Sequence, residues 1–343
     1  MRLRDEKVCE HHIFVCSKSS LIDSEDTPLH PMKSSSHFFA LQRRSDIITA
    51  VNPATPAFLA SSDTSQAVYL ESPFRSVNLA ILDNACSEYS FLTSYFSGSS
   101  FSSLSTRFAQ IFGPTFALGQ NFTSSLVGQS TDCLGILLCV RLNEQFALES
   151  QRRKIPVLEP YINENARLLW PRFQKAIDAH CDSLRHAASV SSLTTRNLSN
   201  TLSSLAGAAS TPSLAPHFLT QRFAQFIHGI LNLTKERVNK TSGLPIVVGD
   251  SPKSAGSHRS DVLLSPGLSS DEEPIGRSLL RLRSEFENVM NRLSKEIGDQ
   301  RKIDRFLSNN YGLIGTILGD VPGVMADEMR AWLSERGGDR EIS

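Results

Sequence analysis

Asp178 and Asp182 lie one helical turn apart, with His180 and Cys181 between them. That i, i+4 spacing sets two carboxylates on one face of a helix, where a divalent cation could bind. A helical metal site of that kind draws further carboxylates from facing helices and a Glu-x-x-His motif, and the chain has no match. The pair reads as a solvated face. Cys9, His11 and His12 could seed a zinc site, but zinc takes about four ligands and Cys16 is the only sulfur left nearby. No glycine-rich phosphate loop follows a strand-like segment. HExxH, paired CxxC and GxSxG motifs are absent. Glu159, Glu164, His180 and His186 converge on no constellation. The reading is that the chain is not an enzyme and needs no cofactor or metal.

One charged cluster stands out. Arg152, Arg153 and Lys154 sit between two helical patterns, just before Pro156 redirects the chain. Such a cluster suits an anionic partner or a phosphoinositide surface. The default reading is a solvated loop with helix C-terminal cations favoured by the dipole. Arg277, Arg281 and Arg283 are followed by Glu285 and Glu287, a mixture that fits the exposed side of a long helix better than a nucleic-acid stripe. Lysines plus arginines balance aspartates plus glutamates at 35 each among 343 residues. That balance gives no broad attraction to nucleic acid or anionic lipid. No apolar run approaches the ~20 residues that cross a bilayer, so membrane contact is expected to be peripheral. Cys86, Cys133, Cys139 and Cys181 lie in apolar helical patterns and read as core thiols.

The elements that would position these residues are all helical. Residues 1–67 read as largely disordered and rich in Ser and Pro, with residues 50–59 able to lie on the folded body as extended chain. A first helical bundle is expected over 68–188. Its first helix has Ser72 as N-cap and Pro73 at the first position. Its second carries Phe108, Phe112, Phe116 and Phe122, with a kink at Gly113–Pro114. The third, CLGILLCVRL, reads as a buried helix, and the fourth ends near Ala188 with a bend at Pro171. Residues 189–215 read as a linker. A second helical section spans 216–333 and is interrupted by a disordered loop at 239–273. Its last large helix covers 275–318, with the period slipping near Gly298. A flexible tail closes the chain at 334–343. Phe74, Phe112, Leu138, Trp170, Phe223, Phe286 and Tyr311 are expected in the core. The fold class is all-α, an elongated stack of antiparallel helical bundles.

Four blocks in this order carry a family resemblance. They are SPFRSVNLAILDNACSEYSFLTSYF at 72–96, IFGPTFAL with DCLGILLCVRLNEQFALESQRRKIPVLEPYINENARLLWPRF at 111–173, PHFLTQRFAQF at 216–226, and FLSNNYGLIGTIL at 306–318. The words ILDN, RRKIPVLEPY, LLWPRF and NNY are the most specific. In them the chain resembles the fifty-second vacuolar-protein-sorting subunit family of the Golgi-associated retrograde protein complex.

The resemblance implies a rod-like, noncatalytic scaffold subunit of a vesicle tether in retrograde transport from endosomes to the trans-Golgi network. It implies no catalytic or cofactor-binding residues. The implied partners are the other subunits of that complex, with small GTPases or SNARE proteins as further partners and no nucleic acid. The implied location is peripheral, on the cytosolic face of the trans-Golgi network and endosomes, and in the cytosol. Family members carry a long N-terminal coiled coil, and no sustained heptads precede Ser72. They also continue past the NNY block, so the chain reads as a middle section of the full subunit. The alternative is a helical adaptor that binds a small GTPase or a helical peptide outside the tether, through the aromatic helix.

Overall fold

A computed structural model of the chain describes residues 39–49, 69–206, 214–241 and 273–338. The expectations for residues 1–38, 50–68, 207–213, 242–272 and 339–343 lie outside the described residues, as do Cys9, His11, His12 and Cys16. The described regular structure is all-α, with no strand among the described residues. The chain divides into two compact units, Met1–Ser210 and Thr211–Ser343.

Among the described residues, unit 1 holds α1 (Asp46–Thr49), which follows a 3₁₀ turn at Gln42–Ser45, α2 (Glu71–Tyr95), α3 (Phe101–Val127), α4 (Cys133–Arg152) and α5 (Glu159–Ala206). Short connections between α2 and α5 reverse the chain each time, which makes sequential helices antiparallel. α2 packs on α3 and α4, while α5 packs on α4 and α3. Residues Cys133 to Asn143 of α4 are buried on every side, as a helix apolar all round must be. The carboxylate of Asp132 caps this helix by accepting from the Gly135 N–H at 3.0 Å.

Three sequence expectations change here. Residues 39–49, within the stretch read as disordered, are ordered: Phe39, Leu41 and Ile48 are buried, and α1 lies on α4. The reason is a long-range charge clamp described below. α2 begins at Glu71, and Leu70 holds the cap position without a side-chain bond. Ser72 is therefore not the cap, and Pro73 sits inside the first turn, where amides have no intrahelical acceptor. α5 runs on to Ala206, through Pro171 and well into the stretch read as linker. The alanines and serines there are compatible with a helix.

Unit 2 holds α6 (Phe218–Thr241), α7 (Glu273–Lys295), α8 (Gln300–Leu318) and α9 (Val324–Gly338). α8 is central and packs on α6, α7 and α9. The long helix expected over 275–318 is two helices. Gly298, at φ +73°, breaks it, and Asp299 caps α8 by accepting from the Arg301 N–H at 3.1 Å. Phe223 of α6 stacks on Phe286 of α7 with ring centroids 4.1 Å apart. Arg330 of α9 donates to the Val321 carbonyl at 2.7 Å, just past the α8 end.

Candidate functional site

The elbow between α4 and α5 contains the basic cluster. α4 ends in a Schellman motif: the Lys154 N–H donates to the Gln151 carbonyl at 3.0 Å, and the Ile155 N–H to the Ser150 carbonyl at 3.0 Å. That geometry needs a left-handed residue after the cap, and Lys154 takes it at φ +58°. Glycine is the usual occupant; a side chain there costs about 1 kcal/mol. The Ser150 hydroxyl adds a bond to the Ile155 carbonyl at 2.8 Å. Pro156 follows and opens the 3₁₀ turn Pro156–Leu158.

The three cations of the elbow have different surroundings. Arg152 is exposed and grips Glu149 at 2.6 Å. Arg153 reaches Glu149 at 2.6 Å and Asp83 of α2 at 2.6 Å. Arg152 and then Arg153 hold the Glu149 carboxyl down at about 2. Burial works against the Arg153 charge, but Asp83 and Glu149 outweigh it and raise its pKa. Lys154 is exposed and makes no ion pair among the described residues. It borders a surface depression of ≈ 370 Å³ lined also by Gln151, Ile155, Pro156, Glu159, Ile162 and Asn163.

A second charged feature went unread in the sequence. Arg44, 7 % exposed, binds Glu71 through Nε and Nη2 at 2.7 Å each. Its Nη2 also reaches Asp132 at 2.6 Å. Its guanidinium lies 4.3 Å from the Tyr69 ring centroid. Burial opposes the Arg44 charge; Glu71 and Asp132 overcome it and raise its pKa. Gly135 makes the clamp possible, since a Cβ there would lie 2.7 Å from Arg44 Nη2 and 2.6 Å from Leu70 Cδ2. The clamp joins the 39–49 strap, the start of α2 and the cap of α4.

The words singled out in the sequence are joints of the scaffold. Asp83 of ILDN meets Arg153 of RRKIPVLEPY. Tyr161 of the same block donates to Asn78 Oδ1 at 2.8 Å, and Asn165 donates to that oxygen at 3.0 Å. Phe116 stacks on Tyr161 at 4.8 Å. In LLWPRF, Arg172 donates to the Ser130 carbonyl at 2.7 Å, while Trp170 meets Phe173 edge-on at 5.8 Å. In NNY, Asn310 accepts from the His217 N–H at 2.8 Å and from the Thr220 hydroxyl, while Asn309 donates to the Leu214 carbonyl at 2.8 Å. These bonds fix the entry to α6 on α8. Tyr311 meets Trp332 of α9 edge-on at 5.5 Å.

The chain belongs to the Vps52 family. The family model described as "Vps52, C-terminal" matches residues 19–250 and 253–333. The vacuolar protein sorting-associated protein 52 of Schizosaccharomyces pombe is 31% identical over 267 residues, 78% of this chain and 43% of that protein. Its Saccharomyces cerevisiae counterpart is 31% identical over 280 residues, 80% of this chain and 38% of that protein. The human homolog is 24% identical over 316 residues, 89% of this chain and 36% of that protein. The chain thus spans less than half the length of these curated relatives. No solved structure matches it.

The other sequence-selected residues of this Vps52-family chain are placed as follows. Phe74, Leu138, Phe223 and Phe286 are fully buried, Tyr311 and Phe112 are buried, and Trp170 is half-buried. His180 is buried with its ring edge-on to Phe39 at 5.9 Å, whereas Asp182 is exposed and paired with Arg185 at 2.6 Å. They do not converge. Among the described residues no group of three or more His, Cys, Asp or Glu side chains is placed to hold a metal. Burial, then Asp132, raises the Cys133 thiol; burial, then Glu71, raises Cys139. Both stay protonated and unreactive. No helix among the described residues is long and apolar enough to cross a membrane.

Proposed function

We propose that this chain is a noncatalytic scaffold subunit of a multisubunit vesicle tether, acting in retrograde transport from endosomes to the trans-Golgi network. The observation that carries the reading is the family match over residues 19–250 and 253–333. The geometry is in keeping with it: the most specific sequence words are joints between helices, and their polar groups bond to one another. The partners in this reading are the other subunits of the Golgi-associated retrograde protein complex, with small GTPases or SNARE proteins as further contacts. The chain would sit peripherally on the cytosolic face of trans-Golgi and endosomal membranes. Depleting it and imaging a receptor that cycles between endosomes and the trans-Golgi network tests the role. The reading expects the receptor to scatter into peripheral vesicles, and an unchanged distribution counts against it.

A second reading, a helical adaptor outside the tether, draws on α3. Phe108 and Phe112 are buried, so that part of the aromatic face is core. On the flank of the same helix, Ile111 is 53% exposed and Leu118 is 70% exposed, one heptad apart. A helical peptide would dock through that flank. The readings separate on whether the Ile111→Ser, Leu118→Ser double variant still recovers the other tether subunits. Full recovery, together with loss of a GTPase or peptide partner, favours the adaptor.

A further inference from the structure

Lys154 differs from its two basic neighbours. Arg152 is paired with Glu149 within α4, and Arg153 with Glu149 and with Asp83 of α2, so both charges are matched at the end of α4. Lys154 is exposed and contributes no such tie among the described residues. Its backbone lies at φ +58°, where glycine would be unstrained and would end α4 better. A strained residue whose side chain makes no ion pair or hydrogen bond among the described residues points to a use outside the fold. The side chain borders the ≈ 370 Å³ depression, whose floor includes the buried Ile155 and Ile162. Gln151, Asn163 and Glu159 complete its polar rim.

We infer that Lys154 and this depression form a docking point for an acidic segment of a partner protein, a carboxylate next to an apolar side chain. The charges are complementary. The ammonium takes the carboxylate, and the amides of Gln151 and Asn163 add donors. The apolar floor takes the flanking side chain. Glu159 on the rim repels a second carboxylate, which sets the direction of the segment. An anionic bilayer fits less well. Among the described residues, Glu149 and Asp83 offset the two arginines and leave a single uncompensated cation in the cluster, whereas polybasic membrane contacts use about 4–8.

The inference rests on the scaffold reading for the source of its partner. The full chain is co-expressed with the other tether subunits and purified as wild type, Lys154→Gly and Lys154→Arg. The glycine variant is expected to melt about 2–4 °C higher, because it relieves the left-handed residue. It should retain at least one other subunit roughly tenfold less well, while the arginine variant retains it. A carbodiimide should join Lys154 of the wild type to an Asp or Glu of that subunit. A glycine variant that melts higher yet retains every subunit reduces Lys154 to a poor helix cap and overturns the inference alone. A wild-type chain that recovers no subunit overturns the scaffold reading and this inference together. Phosphatidylserine vesicles that bind the isolated wild type but not Lys154→Gly would make the ligand a lipid headgroup and overturn the acidic-segment assignment.

Discussion

Arg44 holds the 39–49 strap on unit 1 through two carboxylates that lie 27 and 88 residues away in the chain. Removing one member of a buried ion group leaves the others uncompensated, at a cost of about 3–5 kcal/mol. Arg44→Ala is therefore expected to lower the urea-unfolding free energy of unit 1 by about 3 kcal/mol and to expose Cys139 to thiol labelling. A change below about 0.5 kcal/mol, within surface-mutation scatter, would show that the clamp does not hold the strap. Two histidines set an acid limit on the fold. Burial lowers His180 from 6.5 to about 4 and His217 to about 4. Above pH 6.5 both states carry neutral rings and stability is full. Between pH 6.5 and about 4 the unfolded chain takes up protons that the folded chain refuses, so stability falls. His217 adds a structural reason: its Nδ1 accepts from the Leu219 N–H at 3.3 Å, which a protonated ring cannot do. Melting curves should shift down through that window, and a flat profile from pH 7 to 4.5 would contradict the burial of both rings. Neither Arg44 nor the histidine environments were legible in the sequence, because each depends on partners brought together by packing. The Arg152–Lys154 cluster was visible as charge, but its division into two structural arginines and one outward lysine required Glu149 and Asp83 to be placed.

At the scale of elements, the apolar period carried most of the information. α2 and α6 begin within two residues of the starts expected at 72 and 216. The uniform apolarity of CLGILLCVRL read as all-round burial, and that is what α2, α5 and the strap provide. Boundaries set by local chemistry were harder. Gly298 was visible as a slip in the period, and its left-handed backbone turns that slip into a break. The end of α5 lies beyond the expected boundary because small residues are compatible with both linker and helix. The aromatic helix could have been core or docking face from its sequence alone. Phe112 is 8 % exposed and lies 5.1 Å from the rings of both Phe108 and Phe116. Phe112→Asp should therefore destabilise unit 1 by at least about 3 kcal/mol, through the lost ring and a buried charge. Circular dichroism on heating measures this, and a variant that melts like the wild type would return the position to the surface.

At the scale of the molecule, two helical units are each closed by polar joints drawn from the most specific words of the sequence. The family words were legible before the fold was, since their order and spacing are unusual. Their physical meaning was not, since Asp83 and Arg153, or His217 and Asn310, become neighbours only in three dimensions. The most direct measurement of the scaffold account is affinity purification of the tagged full chain from cells at native expression, with quantitative mass spectrometry of what elutes. The account predicts the other subunits of the Golgi-associated retrograde protein complex in fixed ratio to the chain. Recovery of the chain alone, from cells in which those subunits still purify with one another, would contradict it.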